Sequence, residues 1–260
     1  MSSPQINIAY WPTRNGVVAA YRRKSDPDAD CPVVVLLHGA LRQSGHLDQW
    51  VDQLEGVCDV VLLDLPGHGR SVAHGPASVA GMAETLHEAI CSNLSGRNVL
   101  IVGESVGGTI ALAIAGLREL GPVRAVFAAD PPMTTAKLWS VARAFQEARF
   151  AASPEGFVER FGRETFGLFD GGIEEIIYYP LIGALRTPAV IATGDIPLLP
   201  PRWLDGVTCL FDPVDHFVVE TFYPGKVTVE QIHGCGHLLL IDAPSACRAI
   251  ILRLLSACCR

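Results

Sequence analysis

The chain has 260 residues, 20 Lys and Arg against 27 Asp and Glu, and a formal charge of −7, with 49% hydrophobic and 18% charged residues. That balance argues against a nucleic-acid-coating protein, which needs a basic surface, and against a disordered chain, which needs the opposite bias. The length suits one α/β domain with an insertion better than two independent domains.

The most apolar stretch, Val99 to Leu117, is interrupted by Glu104, Ser105, Gly107, Gly108 and Thr109, so no membrane span is expected. The opening Met1-Ser2-Ser3-Pro4-Gln5 shows no basic region leading into an apolar one. No secretion signal is read there, and a cytoplasmic location is expected. Cysteines at 31, 58, 91, 209, 235, 247, 258 and 259 lie mostly in apolar segments without a Cys-x-x-Cys pair. They read as buried free thiols.

In chain order, Ile6–Trp11 and Gly16–Arg23 read as antiparallel strands joined by a turn at Arg14-Asn15-Gly16. Pro32–Leu37, Val57–Asp64, Asn98–Val102 and Val123–Ala129 are short, nearly continuous apolar runs. Such runs suit strands buried on both faces of a parallel sheet. Helical stretches lie between them at about Leu47–Glu55, Val79–Asn93 and Val106–Leu120. The alternation predicts a doubly wound, mostly parallel α/β sheet. Residues 133–187 break it, with helical segments at Ala136–Ala151 and Ser153–Arg163 and no clear buried strand. Strands at Pro188–Thr193 and Lys226–Ile232 and a helix at Ser245–Ala257 resume the pattern. The expected organisation is a core of residues 1–132 and 188–260 with a helical insertion, 133–187. The aromatics of that insertion, from Trp139 to Tyr179, could line a substrate pocket or form the insertion's own small core.

The sharpest chemical signal is Gly103-Glu104-Ser105-Val106-Gly107, between a strand and a helix. A tight turn of this kind strains its central residue and requires neighbours without bulk. It lifts the Ser105 hydroxyl clear of the sheet at a helix N-terminus, where developing negative charge is favoured. Leu36-Leu37-His38-Gly39-Ala40 ends the first buried strand. Its loop can aim the Ala40 N–H at the same point as the Val106 N–H, a pair of donors for an oxyanion. His38 reads as a loop-fixing residue. A serine hydroxyl needs a base, and His237 in Gly234-Cys235-Gly236-His237 follows a strand on a glycine-flanked loop. His233 competes for that role but abuts the strand end. No Cys or carboxylate accompanies the two histidines at ligand spacing, so no metal is expected, nor any cofactor.

These segments, together with Asp64-Leu-Pro-Gly-His-Gly-Arg-Ser71, resemble the α/β-hydrolase superfamily over nearly the full chain, and their order agrees with its serine, acid, histidine sequence. The resemblance implies a cap for residues 133–187 and a mostly structural role for Asp64–Ser71. It also implies a catalytic acid. Asp195, after Gly194, stands after the penultimate strand and is the first choice. Asp130, at the end of the preceding strand, is the alternative, and Asp215 a third. Glu104 is not expected to take part in chemistry.

The expected function is hydrolysis of a small carboxylic ester or thioester, with Ser105 as nucleophile, His237 as base and Ala40 and Val106 as the oxyanion hole. A serine nucleophile argues against dehalogenase or epoxide hydrolase chemistry, which needs a carboxylate there. An acyltransferase, a thioesterase for a carrier-bound acyl chain, and a non-catalytic binding relative are the alternatives. The partner is a small acyl substrate, with neither nucleic acid nor membrane. Acyl length, alcohol and oligomeric state are not legible.

Overall fold

The computed structural model describes residues 6–23, 31–138, 156–169, 172–196 and 209–258. The strands are β1 (Ile6–Thr13), β2 (Gly16–Arg23), β3 (Val33–Leu37), β4 (Asp59–Leu63), β5 (Val72–Ala73), β6 (Val99–Glu104), β7 (Val123–Ala129), β8 (Leu168–Phe169), β9 (Gly172–Ile173), β10 (Ala189–Thr193) and β11 (Thr228–Gln231). The helices are α1 (Gln49–Gln53), α2 (Val79–Asn93), α3 (Val106–Ala115), α4 (Phe157–Phe166), α5 (Pro180–Ala184), α6 (Pro213–Phe222), α7 (Leu239–Asp242) and α8 (Pro244–Cys258), with 3₁₀ turns at Ser44–Leu47 and Ala136–Leu138.

The main sheet runs β1-β2-β4-β3-β6-β7-β10-β11, with β5 pairing β2. Strands β1, β2 and β4 are joined antiparallel, and every neighbour from β4 to β11 is parallel. The expected mostly parallel, doubly wound sheet is therefore present. Because side chains alternate across a strand, each central strand feeds two cores. Val33, Val35 and Leu37 join Val99 and Ile101 on one face, together with α2 and α3. Val34 and Leu36 join Leu100 and Val102 on the other, with Trp50 of α1 and the α8 residues Ile250, Ile251 and Leu254. Burial on both faces explains why these strands read as unbroken apolar runs.

Helix α2 begins as expected, with the Ser78 hydroxyl accepting the Gly81 N–H at 3.2 Å. Helix α3 ends at Ala115, short of the predicted Leu120, and all ten of its residues are buried. Strands β7 and β10 are neighbours, so the chain leaves the sheet after β7 and returns beside it. Most of the predicted helix 136–151 lies outside the described residues. The helix predicted at 153–163 is observed as Phe157–Phe166. Phe157, Phe161, Phe166 and Tyr178 are buried in the main core, whereas Phe169 is half exposed, at 50%. The His68 ring packs edge-on to Phe161 at 4.8 Å and to Phe157 at 5.6 Å, tying α4 to the loop after β4.

Helix α6 was not anticipated from the acidic, proline-containing segment between β10 and β11. Asp212 caps it, accepting the N–H groups of Val214 and Asp215 at 2.8 and 3.1 Å, while Asp215 returns a bond to the Asp212 N–H at 2.8 Å. Proline stands at its first turn. A capping residue, a following proline and an acid three positions on are a helix start signal visible in Asp212-Pro213-Val214-Asp215.

Candidate active site

The parallel strands end along one edge of the sheet, and the residues singled out in the sequence gather there. Ser105 lies between β6 and α3 with φ 57° and ψ −127°, a conformation that costs about 1–3 kcal/mol for a residue with a side chain. Packing enforces it. A Cβ on Gly103 would lie 2.2 Å from the Gly107 carbonyl oxygen, and one on Gly107 would lie 2.6 Å from the carbonyl oxygens of Leu37 and His38. Only glycine permits the helix to start so close to β3 and β6. The Ser105 N–H donates to the Ala129 carbonyl at 2.8 Å, and the Ser105 carbonyl accepts from Gly108 at 2.8 Å.

Val106 opens α3, a position whose N–H has no acceptor within the helix. Ala40 follows Gly39, where an added Cβ would sit 3.2 Å from the Ser105 Cβ. Among the described residues, neither the Ala40 nor the Val106 N–H donates a hydrogen bond. The loop carrying Ala40 is fixed by His38. The Leu65 N–H donates to His38 Nε2 at 3.0 Å, so the proton sits on Nδ1, which donates to the Gly39 carbonyl at 2.7 Å. Burial, with a smaller push from nearby His68, lowers the His38 pKa to about 3 and keeps the ring neutral. Below it, Asp64 accepts the Ser44 and Arg70 N–H groups at 2.8 Å and the Tyr21 hydroxyl at 2.7 Å. Burial pushes the Asp64 carboxyl up, but these donors together outweigh it and hold the carboxyl below its usual range. The Asp64–Ser71 segment is structural in this geometry.

His237 Nδ1 donates to Asp130 Oδ2 at 2.6 Å. Asp130 is fully buried and has φ 46°. Its Oδ1 accepts the Thr193 hydroxyl at 2.9 Å and the Phe211 N–H at 3.0 Å, and its Oδ2 also accepts the Leu210 N–H at 3.0 Å. Asp130 directly follows Ala129, whose carbonyl holds Ser105, so Ser105 and Asp130 stand at adjacent strand ends. This geometry does not bring Asp195, the first-choice acid, to His237. Its Oδ2 accepts His233 Nδ1 at 2.9 Å and its Oδ1 the Gly234 N–H at 2.8 Å. Those two bonds hold its carboxyl below the usual range. The pair is a surface brace: the Asp195 and His233 side chains are 30% and 79% exposed. The physical reason lies in the turn after β11, whose Cys235 carbonyl accepts the N–H groups of Asp195 and Ile196. That contact sets Asp195 against the base of the turn.

Asp215, the third possibility, belongs to a different cluster, with Lys137 and Tyr179. Glu104 is buried and accepts Arg42 Nη1 at 2.9 Å. Burial pushes its carboxyl up, against the nearby charge of Arg42. Sequence reasoning missed Thr193, Leu210 and Phe211 as hydrogen-bond donors to Asp130. The two amides act through main chain that no side-chain motif announces, whereas Thr193 directly precedes Gly194-Asp195 at the strand end.

The chain belongs to the α/β hydrolase fold family, whose sequence model matches residues 32–171. The chain is 38% identical over 124 residues to the magnesium-chelatase 30 kDa subunit of Rhodobacter capsulatus, covering 43% of this chain and 42% of that protein. It is 38% identical over 88 residues to the pimeloyl-[acyl-carrier protein] methyl ester esterase of Yersinia pseudotuberculosis (strain IP 31758), covering 34% of this chain and 32% of that protein. The chain thus spans less than half the length of these curated relatives. Among solved structures, carboxylesterase CesB of Bacillus subtilis superposes with a TM-score of 0.71 at 15% identity, over 96% of this chain and 92% of that one. The thioesterase domain of the curacin biosynthetic pathway does so with a TM-score of 0.64 at 21% identity, over 95% and 99%. These structural likenesses establish the fold. No helix among the described residues is long and apolar enough to cross a membrane.

Proposed function

We propose that the protein is a serine hydrolase that cleaves a small carboxylic ester or thioester through an acyl-enzyme. The observation that carries this reading is the 2.6 Å bond from His237 to the buried Asp130, at the sheet edge where Ser105 occupies its strained turn. A proton on Nδ1 leaves Nε2 free to act as a base. His237 takes the Ser105 proton as the hydroxyl oxygen attacks the acyl carbon. The tetrahedral oxyanion is held by the Ala40 and Val106 N–H groups. His237 then returns the proton to the departing alcohol or thiol. Water, deprotonated by the same imidazole, attacks the acyl-enzyme and releases the acid. Asp130 orients the ring and stabilises the imidazolium.

Residues 133–187 form the cap in this reading, over a core of 1–132 and 188–260. An apolar acyl or alcohol group suits an insertion this rich in aromatics. The esterase relative, whose name specifies a methyl ester, supports ester chemistry. The relative named a magnesium-chelatase subunit is not named an esterase, and a binding protein on the same fold is the second reading.

A panel of nitrophenyl esters separates the two. The hydrolase reading expects a pre-steady-state burst of nitrophenolate, abolished in Ser105→Ala with a loss of roughly 10⁴-fold or more in turnover. A folded parent protein that releases nitrophenolate no faster than Ser105→Ala would support the binding reading instead.

A further inference from the structure

Asp130 takes two of its four hydrogen bonds from consecutive main-chain amides, those of Leu210 and Phe211. Amides hold a carboxylate in place only as well as their own chain is held. The next residue is Asp212, the N-cap of α6, locked to Asp215 by reciprocal bonds. Both carboxylates are nearly buried, at 6% and 1% exposure. Two such anions side by side need a countercharge. Lys137 supplies it. Its Nζ donates to Asp212 Oδ2 at 3.0 Å and, more closely, to Asp215 Oδ2. The Tyr179 hydroxyl donates to the other Asp215 oxygen at 2.5 Å. Burial pushes the Asp215 carboxyl up, and the Lys137 charge is the largest influence opposing it. Both donors come from the stretch between β7 and β10, outside α6.

We propose that Lys137, assisted by Tyr179, is a positioning residue for the reaction: by gripping Asp212 and Asp215 it fixes the Leu210 and Phe211 amides on Asp130, and through Asp130 the orientation of His237. This inference rests on the serine hydrolase reading above. Without the ammonium, Asp215 either gains a proton or turns toward water. Its bond to the Asp212 N–H is then lost, and the first turn of α6 loosens. The two amides drift, Asp130 loses its fixed seat, and the imidazole turns with it. The oxyanion donors and Ser105 lie in the loop after β3 and at the β6–α3 turn and are untouched. Turnover therefore suffers more than substrate binding.

The test uses the full chain with a nitrophenyl ester and a one-dimensional proton spectrum. The parent should show a low-field Nδ1 proton resonance from the His237–Asp130 bond, absent in Asp130→Asn. Lys137→Met should lower kcat by about 10–100-fold, as small misplacements of catalytic groups do. Its KM should stay within about threefold, and the low-field resonance should shift or broaden. Lys137→Arg should recover most of both, because a guanidinium can span two carboxylates. Tyr179→Phe removes one hydroxyl and keeps the ion pairs. It should cost about threefold in kcat with a smaller shift of the resonance, and it decides the matter if Lys137→Met does not fold. Parent-like kcat and resonance in Lys137→Met, or in Tyr179→Phe where the first cannot be purified folded, would overturn the positioning role alone. Full activity in Ser105→Ala would overturn the underlying reading and this role with it.

Discussion

A carboxylate taken wholly out of water stays useful as an anion only when donors replace its hydration. Asp130 has such donors in the Thr193 hydroxyl, the Leu210 and Phe211 amides and the His237 ring. Asp195 is differently placed, partly exposed and braced by His233. The two aspartates therefore respond differently to the same change. Asp130→Asn should lower turnover by about 10⁴-fold, because an amide at this place favours the wrong histidine tautomer. Asp195→Asn should stay within a few-fold of the parent in turnover and change stability little, as expected of an exposed pair. Steady-state kinetics on both purified variants, with circular dichroism to show that each is folded, checks this. Ser105 and His237 stood out as candidates from Gly103–Gly107 and Gly234–His237, because the backbone requirements of those turns leave glycines at fixed offsets. The aspartate that His237 contacts stood out less, because a lone Asp after a strand has no such signature. What selects Asp130 is a set of donors contributed from residues 193 and 210–211, far along the chain.

At the scale of elements, the loops at the C-terminal ends of β3 and β4 form one hydrogen-bonded unit through His38 and Asp64. Its chemistry makes the fold sensitive to acid. His38 and His68 are both buried and both have lowered pKa values, chiefly from burial. A depressed histidine binds fewer protons in the folded than in the unfolded chain. The stability it contributes is complete above the unfolded value near 6.5 and is lost as the pH falls toward the folded one. Asp64, held below its usual range, adds a further loss only below about pH 4. Urea unfolding at pH 7.5 and 5.5 should therefore show a drop of about 1.4 kcal/mol from His38, with His68 adding to it in the same direction. His38→Gln should remove the His38 share of that pH dependence, whatever it does to stability at pH 7.5. An unchanged pH dependence in that variant would show that His38 is not held neutral by burial. The elements themselves were largely legible where periodicity was strong, as in β3, β6 and α2. Helix α6 was missed because its capping signal lay in a segment read only for its prolines and acids. Strands β5, β8 and β9 are two residues each, too short to leave a period.

For the whole molecule, the parallel sheet places the chain ends of several strands along one edge, and chemistry collects there because loops from distant sequence meet on a rigid base. The two cores hold that base from both sides. Trp50 is fully buried, and its indole N–H donates to the Leu240 carbonyl at 3.1 Å, shortly after His237 in the chain. Gln49 donates to the same carbonyl at 3.0 Å. Packing on the α1 side of the sheet thus tethers the turn that carries His237. The central claim is that this architecture makes one hydroxyl, that of Ser105, a nucleophile. The most direct measurement is the intact mass and peptide map of the folded protein after reaction with a fluorophosphonate, which modifies only an activated serine. The account predicts a single adduct per chain on the peptide containing Ser105, formed far more slowly in His237→Gln and in Asp130→Asn. A folded parent protein that stays unlabelled, or an adduct on another residue with Ser105 unmodified, would contradict it.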